Sequence, residues 1–166
     1  MLFRSGVAFS GALALGGGWM ASGDFYTQAP SEVPRTRASV NAGLVAGLLE
    51  GSLSLGLFRA SAGMDLAVPF GQHHVALTGE RELRVRPTFF GGVGVTWAQV
   101  VAGYQLPYHP VVGAHLTAPA WKGLEVTGSA LVGIPGTLRR EDGSTYDTLP
   151  TVTAWVGLGY RFGSAP

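Results

Sequence analysis

The 166-residue chain has no cysteine, which excludes a disulfide framework, thiolate catalysis and any cysteine-based metal site. Lysine is almost absent too: Lys122 stands alone against ten arginines. Charged residues make up only 13% of the chain, about half of what a soluble domain carries, so much of the outer surface is expected not to face water. The net charge of +1 gives no electrostatic footprint for nucleic acid. A membrane helix is also missing from Pro87–Trp121. This stretch lacks charge, but it holds Pro87, Pro107, Pro110, Pro119 and Gly91-Gly92-Val93-Gly94, and it alternates with period two. The other long uncharged stretch, Ser5–Gly23, has the outline of a secretory signal: Arg4, an apolar core over Val7–Leu15, and Ala21-Ser22-Gly23. Its strict alternation favours a strand. Removing it would also leave seven strands, an odd count that bacterial barrels avoid. On this reading the sequence carries no export signal of its own and forms one domain over residues 1–166, with 163–166 a short tail.

Alternation is the feature that is present. In Thr151–Phe162, the residues Val152, Ala154, Val156, Leu158, Tyr160 and Phe162 share one face. Thr151, Thr153, Trp155, Gly157, Gly159 and Arg161 share the other. The same pattern recurs along the chain. It predicts strands at Phe3–Trp19, Arg37–Leu49, Ser52–Ala62, Asp65–Thr78, Leu83–Trp97, Val111–Ala118, Leu124–Ile134 and Thr151–Phe162. In the second, Val40, Ala42, Leu44, Ala46 and Leu48 form the apolar face. In the third, Leu53, Leu55 and Leu57 point outward. Glu50-Gly51, Gly79-Glu80 and Trp121-Lys122-Gly123 read as short turns, and Ala21–Arg35 and Gly136–Pro150 as long loops. Val100–Leu106 fits either a strand extension or a loop arm, and Pro69-Phe70-Gly71 either a bulge or a loop.

Polar strand faces combined with an apolar outer face predict an all-β fold: an eight-stranded antiparallel up-and-down transmembrane β-barrel. Placement of charge supports it. Most charges fall in turns and loops, and Arg4, Glu82, Arg84, Arg86, Glu125 and Arg161 take the inner phase of their strands. These six are the candidate lumen ion-pair cluster, net positive, with Arg4, Glu82, Arg84, Glu125 and Arg161 expected near the short-turn end. Arg59 continues the outward phase of Leu53 and Leu55 and is expected at the external rim, snorkelling. Trp19, Trp97, Trp121, Tyr160 and Phe162 are the candidate membrane-interface aromatics, and Trp155 is expected to fill the core. Gly16-Gly17-Gly18 and Gly91-Gly92-Val93-Gly94 lack the strand–turn–helix setting of a phosphate loop and are expected to relieve crowding on the inner face.

Eight strands, aromatics near strand ends and a last strand closing on Tyr160-Arg161-Phe162 resemble the small outer-membrane β-barrels of the OmpA/OmpX type. The resemblance implies an integral outer-membrane protein of a Gram-negative cell. Outer-membrane lipid would be its surroundings, and the barrel-insertion machinery would read its C-terminal strand. This chain departs from the pattern by running on through Gly163-Ser164-Ala165-Pro166. A single-chain barrel without nucleic acid, metal or cofactor is expected. His73, His74, His109 and His115 show no metal-ligand spacing. His115-Leu116-Thr117 only loosely resembles the His/Ser pair of lipid A deacylases, so no enzyme activity is expected. The expected role is structural: anchoring, or presenting loops from a side-chain-filled lumen. The rivals are a small-solute or ion channel, a lipid A-modifying enzyme, and a soluble lipocalin-type barrel with the two faces exchanged.

Overall fold

The computed structural model describes residues 7–27, 37–70, 73–74, 85–106, 109–139, 145–148 and 150–163. In these residues the strands are β1 (Val7–Thr27), β2 (Arg37–Leu55), β3 (Phe58–Phe70), β4 (His73–His74), β5 (Arg86–Val95), β6 (Ala98–Gln105), β7 (His109–Trp121), β8 (Leu124–Gly133), β9 (Gly136–Arg139), β10 (Thr145–Thr148) and β11 (Thr151–Gly163). Eight of them, β1, β2, β3, β5, β6, β7, β8 and β11, form the wall, each antiparallel to its neighbours. The β1–β2 pairing closes the cylinder.

The register fixes the cylinder's shape. Ladder partners run from Ser10 through Ser52, Ser61, Gly92, Val101, Gly113, Leu131 and Thr153, and return to β1 at Met20. One circuit therefore climbs ten residues, from position 10 to position 20, along β1. With usual strand spacing and rise, that stagger on eight strands gives a tilt of about 40° and a backbone radius of about 8 Å. A cylinder this narrow is filled by its own side chains. Its inner wall is correspondingly crowded: a Cβ on Gly16 would strike the Val156 carbonyl oxygen, and one on Gly94 the Ala98 carbonyl oxygen. Gly17 and Gly91, the outward members of the same two glycine runs, have nothing closer than 3.6 and 3.9 Å.

Short turns gather at one end, as expected for this topology. They are Gly56-Leu57, Thr96-Trp97 and Lys122-Gly123. Gly56 has φ +58°, Lys122 φ +44° and Gly123 φ +87°. The last pair has the two positive φ values of a type I′ hairpin, whose twist matches the strands it joins. At the opposite end β1 and β2 run on past the barrel, and the β9–β10 hairpin adds to β1 at Tyr26↔Asp147 and Thr27↔Tyr146.

Several boundaries differ from expectation. Glu50-Gly51 is not a turn, because β2 continues to Leu55 and turns at Gly56-Leu57. Ser52–Leu55 therefore completes β2, and Asp65–Phe70 completes β3. His73 and His74 pair with Val40 and Ser39 of β2; residues 75–84, including Gly79-Glu80, lie outside the described residues. The strand left open at Val100–Leu106 is β6, a full member of the wall. Splitting one hairpin too finely and leaving one strand open cancelled, so the count of eight still held. Ala21–Thr27 is strand, not loop, and the Gly136–Pro150 segment carries the β9–β10 hairpin.

The phase of β2 is also reversed. Ala42, Leu44, Ala46 and Leu48 face the interior, while Val45, Leu49, Leu53 and Leu55 are exposed. The stretch before Glu50 is apolar on both phases, so alternation within it decides nothing. Glu50, Ser52 and Ser54 continue the phase of Leu44 and Leu48 and are buried with them. Only a strand unbroken to Leu55 makes this visible. The start of β3 is reversed with it, Phe58 being exposed and Arg59 buried, whereas in β8 and β11 the phases match: Val126 and Val132 of β8 and Val152, Val156, Leu158, Tyr160 and Phe162 of β11 are exposed.

Candidate functional site

The exterior and the lumen divide the chemistry sharply. Glu50, Arg59, Asp65, Arg86 and Glu125 are buried, and Arg161 points inward. Among the charged residues whose side chains are described, only Lys122, in a turn, is exposed. Outside, large apolar side chains cover the wall, including Leu13, Leu15, Val45, Leu49, Val93, Val100, Leu116, Val156 and Leu158.

Exposed aromatics edge this surface in two girdles. Phe9, Phe58, Trp97, Trp121, Tyr160 and Phe162 lie toward the short turns, and Trp19, Phe70 and Tyr104 toward the opposite end. Phe9 and Trp19 are ten residues apart on β1, about 34 Å along a strand and about 25 Å along an axis tilted by about 40°. Of the five candidate interface aromatics, four therefore sit at the short-turn girdle and Trp19 at the other. Phe162 also covers Gly11, its ladder partner: a Cβ there would meet the Phe162 ring at 2.6 Å.

At the short-turn end the lumen is crossed by four charges of alternating sign. Glu125 of β8 and Arg161 of β11 form a bidentate pair, with Arg161 Nε donating to Oε2 at 2.8 Å and Nη2 donating to Oε1 at 2.9 Å. Arg161 Nη1 reaches Glu50 Oε1 of β2, Ser10 Oγ and Ser52 Oγ, each at 3.4 Å. Arg59 Nη2 of β3 donates to the same Glu50 Oε1, and Arg59 Nη1 to the Thr96 carbonyl oxygen at 3.4 Å. Ser10 and Ser52 bond each other at 2.8 Å. Two carboxylates and two guanidiniums thus tie four strands together across the bore.

This lattice contains two of the six candidate cluster residues, Glu125 and Arg161. Arg86 is also buried, but β5 descends from it toward Thr96-Trp97, which puts it near the opposite end, beside Ala67 of β3. Arg4, Glu82 and Arg84 lie outside the described residues. The other two members were missed. Glu50 was assigned to a turn, and Arg59 was expected on the outer rim; it points inward and is buried. The signal was available: in a hairpin turning at Gly56-Leu57, Glu50 and Arg59 both take the inner phase.

Above the lattice the lumen stays polar. Ser61 Oγ bonds Gln99 Oε1, and Gln105 Nε2 donates to Thr88 Oγ1 at 3.2 Å. Trp155 does fill the core, and its indole Nε1 crosses the bore to donate to Asp65 Oδ2 at 2.9 Å. His115 faces inward edge-on to Phe90, with ring centroids 4.5 Å apart. Its ring nitrogens make no bond to Thr117, the hydroxyl partner considered for it. Leu44, Met20 and Leu131 pack as an apolar layer beyond.

No protein-family model matches this chain, and no curated protein matches it in sequence. Among solved structures it is similar to the solid-state NMR structure of outer membrane protein AlkL in DMPC lipid bilayers. The identity is 8% and the TM-score 0.38, over 95% of this chain and 92% of that one. At that level of likeness, the eight-stranded barrel assignment stands on this chain's own ladder register.

Proposed function

We propose that this barrel is an integral outer-membrane protein with a closed lumen, serving as an anchor that holds a projecting sheet and its loops outside the bilayer. One observation carries the membrane reading: every strand charge whose side chain is described faces the bore, while the outer wall between the two aromatic girdles is apolar over about 25 Å, the height of a bilayer-facing barrel band. In water this wall would be an apolar patch far larger than a soluble monomer exposes. A lipocalin-type barrel needs the reverse arrangement.

The closed-lumen reading rests on the Glu50–Arg59–Arg161–Glu125 lattice, whose oppositely charged pairs span a bore with a backbone radius of about 8 Å. The presenting role rests on β1, which continues from Trp19 to Thr27 with β2, β9 and β10 beside it. Outer-membrane lipid is the proposed surroundings, and the Tyr160-Arg161-Phe162 strand the proposed contact for the insertion machinery. The role proposed is non-enzymatic.

Two measurements test this. The folded protein should require detergent or lipid and should migrate differently on gels with and without boiling. In planar bilayers it should give no resolved conductance steps. Solubility without detergent refutes the membrane reading, and steady single-channel steps refute the closed lumen in favour of a small-solute or ion channel.

A further inference from the structure

Among the described residues, five buried side-chain atoms have no hydrogen-bond partner, and four of them face one stretch of the lumen. They are Asp65 Oδ1, both ring nitrogens of His115, and Ser129 Oγ; the Ser129 hydroxyl lies close to the Asp65 carboxylate without completing a well-aligned bond to it, and the His115 ring has no polar neighbour bonded to either nitrogen. The fifth, Arg59 Nε, belongs to the lattice below. The three residues are 2%, 3% and 5% exposed, so bulk solvent does not reach them. His115 and Ser129 are ladder partners on β7 and β8, and Ser129 is also opposite Trp155, whose indole holds the other oxygen of Asp65. Stepping along the register puts the three within about 6 Å of one another in height, roughly midway between the aromatic girdles.

We infer that this stretch of the lumen is a binding site for a small cluster of enclosed water molecules bridging His115, Ser129 and Asp65. The donor and acceptor count selects the ligand. A neutral imidazole offers one donor and one acceptor, a hydroxyl one donor and two acceptors, and a carboxylate oxygen only acceptors. Acceptors are in excess, and water brings two donors per molecule. A metal ion finds too few ligands here: no group of three or more His, Asp or Glu side chains comes together among the described residues. An apolar ligand would leave both His115 ring nitrogens unpaired, which native interiors avoid. Access also favours the smallest ligand, because the charge lattice closes the bore below and Leu44, Met20 and Leu131 pack above. Enclosed water bridging unsatisfied buried groups is the ordinary resolution of such a site.

The test is water-edited NMR on the full chain refolded in lipid, with the histidine rings labelled and His115 assigned by difference against His115→Phe. Transfer from long-lived water to the His115 ring and to Ser129 is expected in the parent protein. It should be lost completely at residue 129 in a folded His115→Phe/Ser129→Val protein, with gel heat-modifiability as the check on folding. Ser129→Ala alone serves if the double variant does not fold, and it should weaken the transfer to His115. Either of two results overturns the inference: no water transfer to His115 in the parent, or direct coupling of Ser129 to Asp65 with the His115 ring dry. Both outcomes are independent of conductance, so failure here leaves the closed-lumen reading standing on its own test.

Discussion

Replacing Glu50 with alanine should be among the most damaging single changes to this barrel. Glu50 Oε1 accepts from both Arg59 and Arg161, and the side chains of Glu50 and Arg59 are each 4% exposed. Arg161 keeps its bidentate partner Glu125, at 2.8 and 2.9 Å. Arg59 keeps only the Thr96 carbonyl oxygen, at 3.4 Å, among the described residues. An uncompensated guanidinium inside the wall costs about 3–5 kcal/mol, the usual penalty for removing one partner of a buried pair. Since about 1.4 kcal/mol is tenfold in an equilibrium constant, the folded-to-unfolded ratio should fall by roughly two to four orders of magnitude. The assay is denaturant unfolding in lipid vesicles, followed by tryptophan fluorescence and by the heat-modifiable band. Glu50→Leu combined with Arg59→Met removes both charges and should recover most of the loss, because apolar replacement of a whole buried pair is often neutral or better. If Glu50→Ala costs less than about 1 kcal/mol, Arg59 is behaving like a solvent-exposed ion and the lattice is not a buried plug.

Two glycine comparisons probe the geometry of the wall. Gly16→Ala should destabilise by about 1–3 kcal/mol as an overpacked inner position, whereas Gly17→Ala, with its nearest neighbour at 3.6 Å, should be close to neutral in the same unfolding assay. Gly56→Ala forces a Cβ onto a φ of +58° and should cost about 1–2 kcal/mol, while Gly51→Ala, facing outward with nothing nearer than 3.9 Å, should not; the reverse order would put the turn back at Glu50-Gly51.

Alternation made most of this fold legible because the barrel separates its two faces so strictly. β8 and β11 each carry an uninterrupted apolar outer phase and an inner phase that, Leu131 and Trp155 apart, is small or polar, and both were oriented correctly. β2 was not, because Leu44, Val45, Leu48 and Leu49 are apolar on both phases, and a glutamate followed by glycine imitates a turn. That single misplaced turn moved Glu50 and Arg59 out of the lumen, so half of the lattice was invisible while Glu125 and Arg161 were found. Asp65 was lost the same way, placed at the start of a separate strand, Asp65–Thr78, when it is a mid-strand residue of β3 held by Trp155. Which polar groups share a height in the bore depends on the ten-residue stagger, and no local pattern encodes that; His115, Ser129 and Asp65 come together only through the register.

The absence of cysteine allows the inside-out arrangement to be measured directly, by placing single cysteines along β2 and spin-labelling each in a bilayer. Labels at Val45, Leu49 and Leu53 should collide with lipid-soluble oxygen, and labels at Leu44, Leu48 and Ser52 should be shielded from it, giving a period-two profile. A profile of the opposite phase, or one with no alternation, would contradict the account.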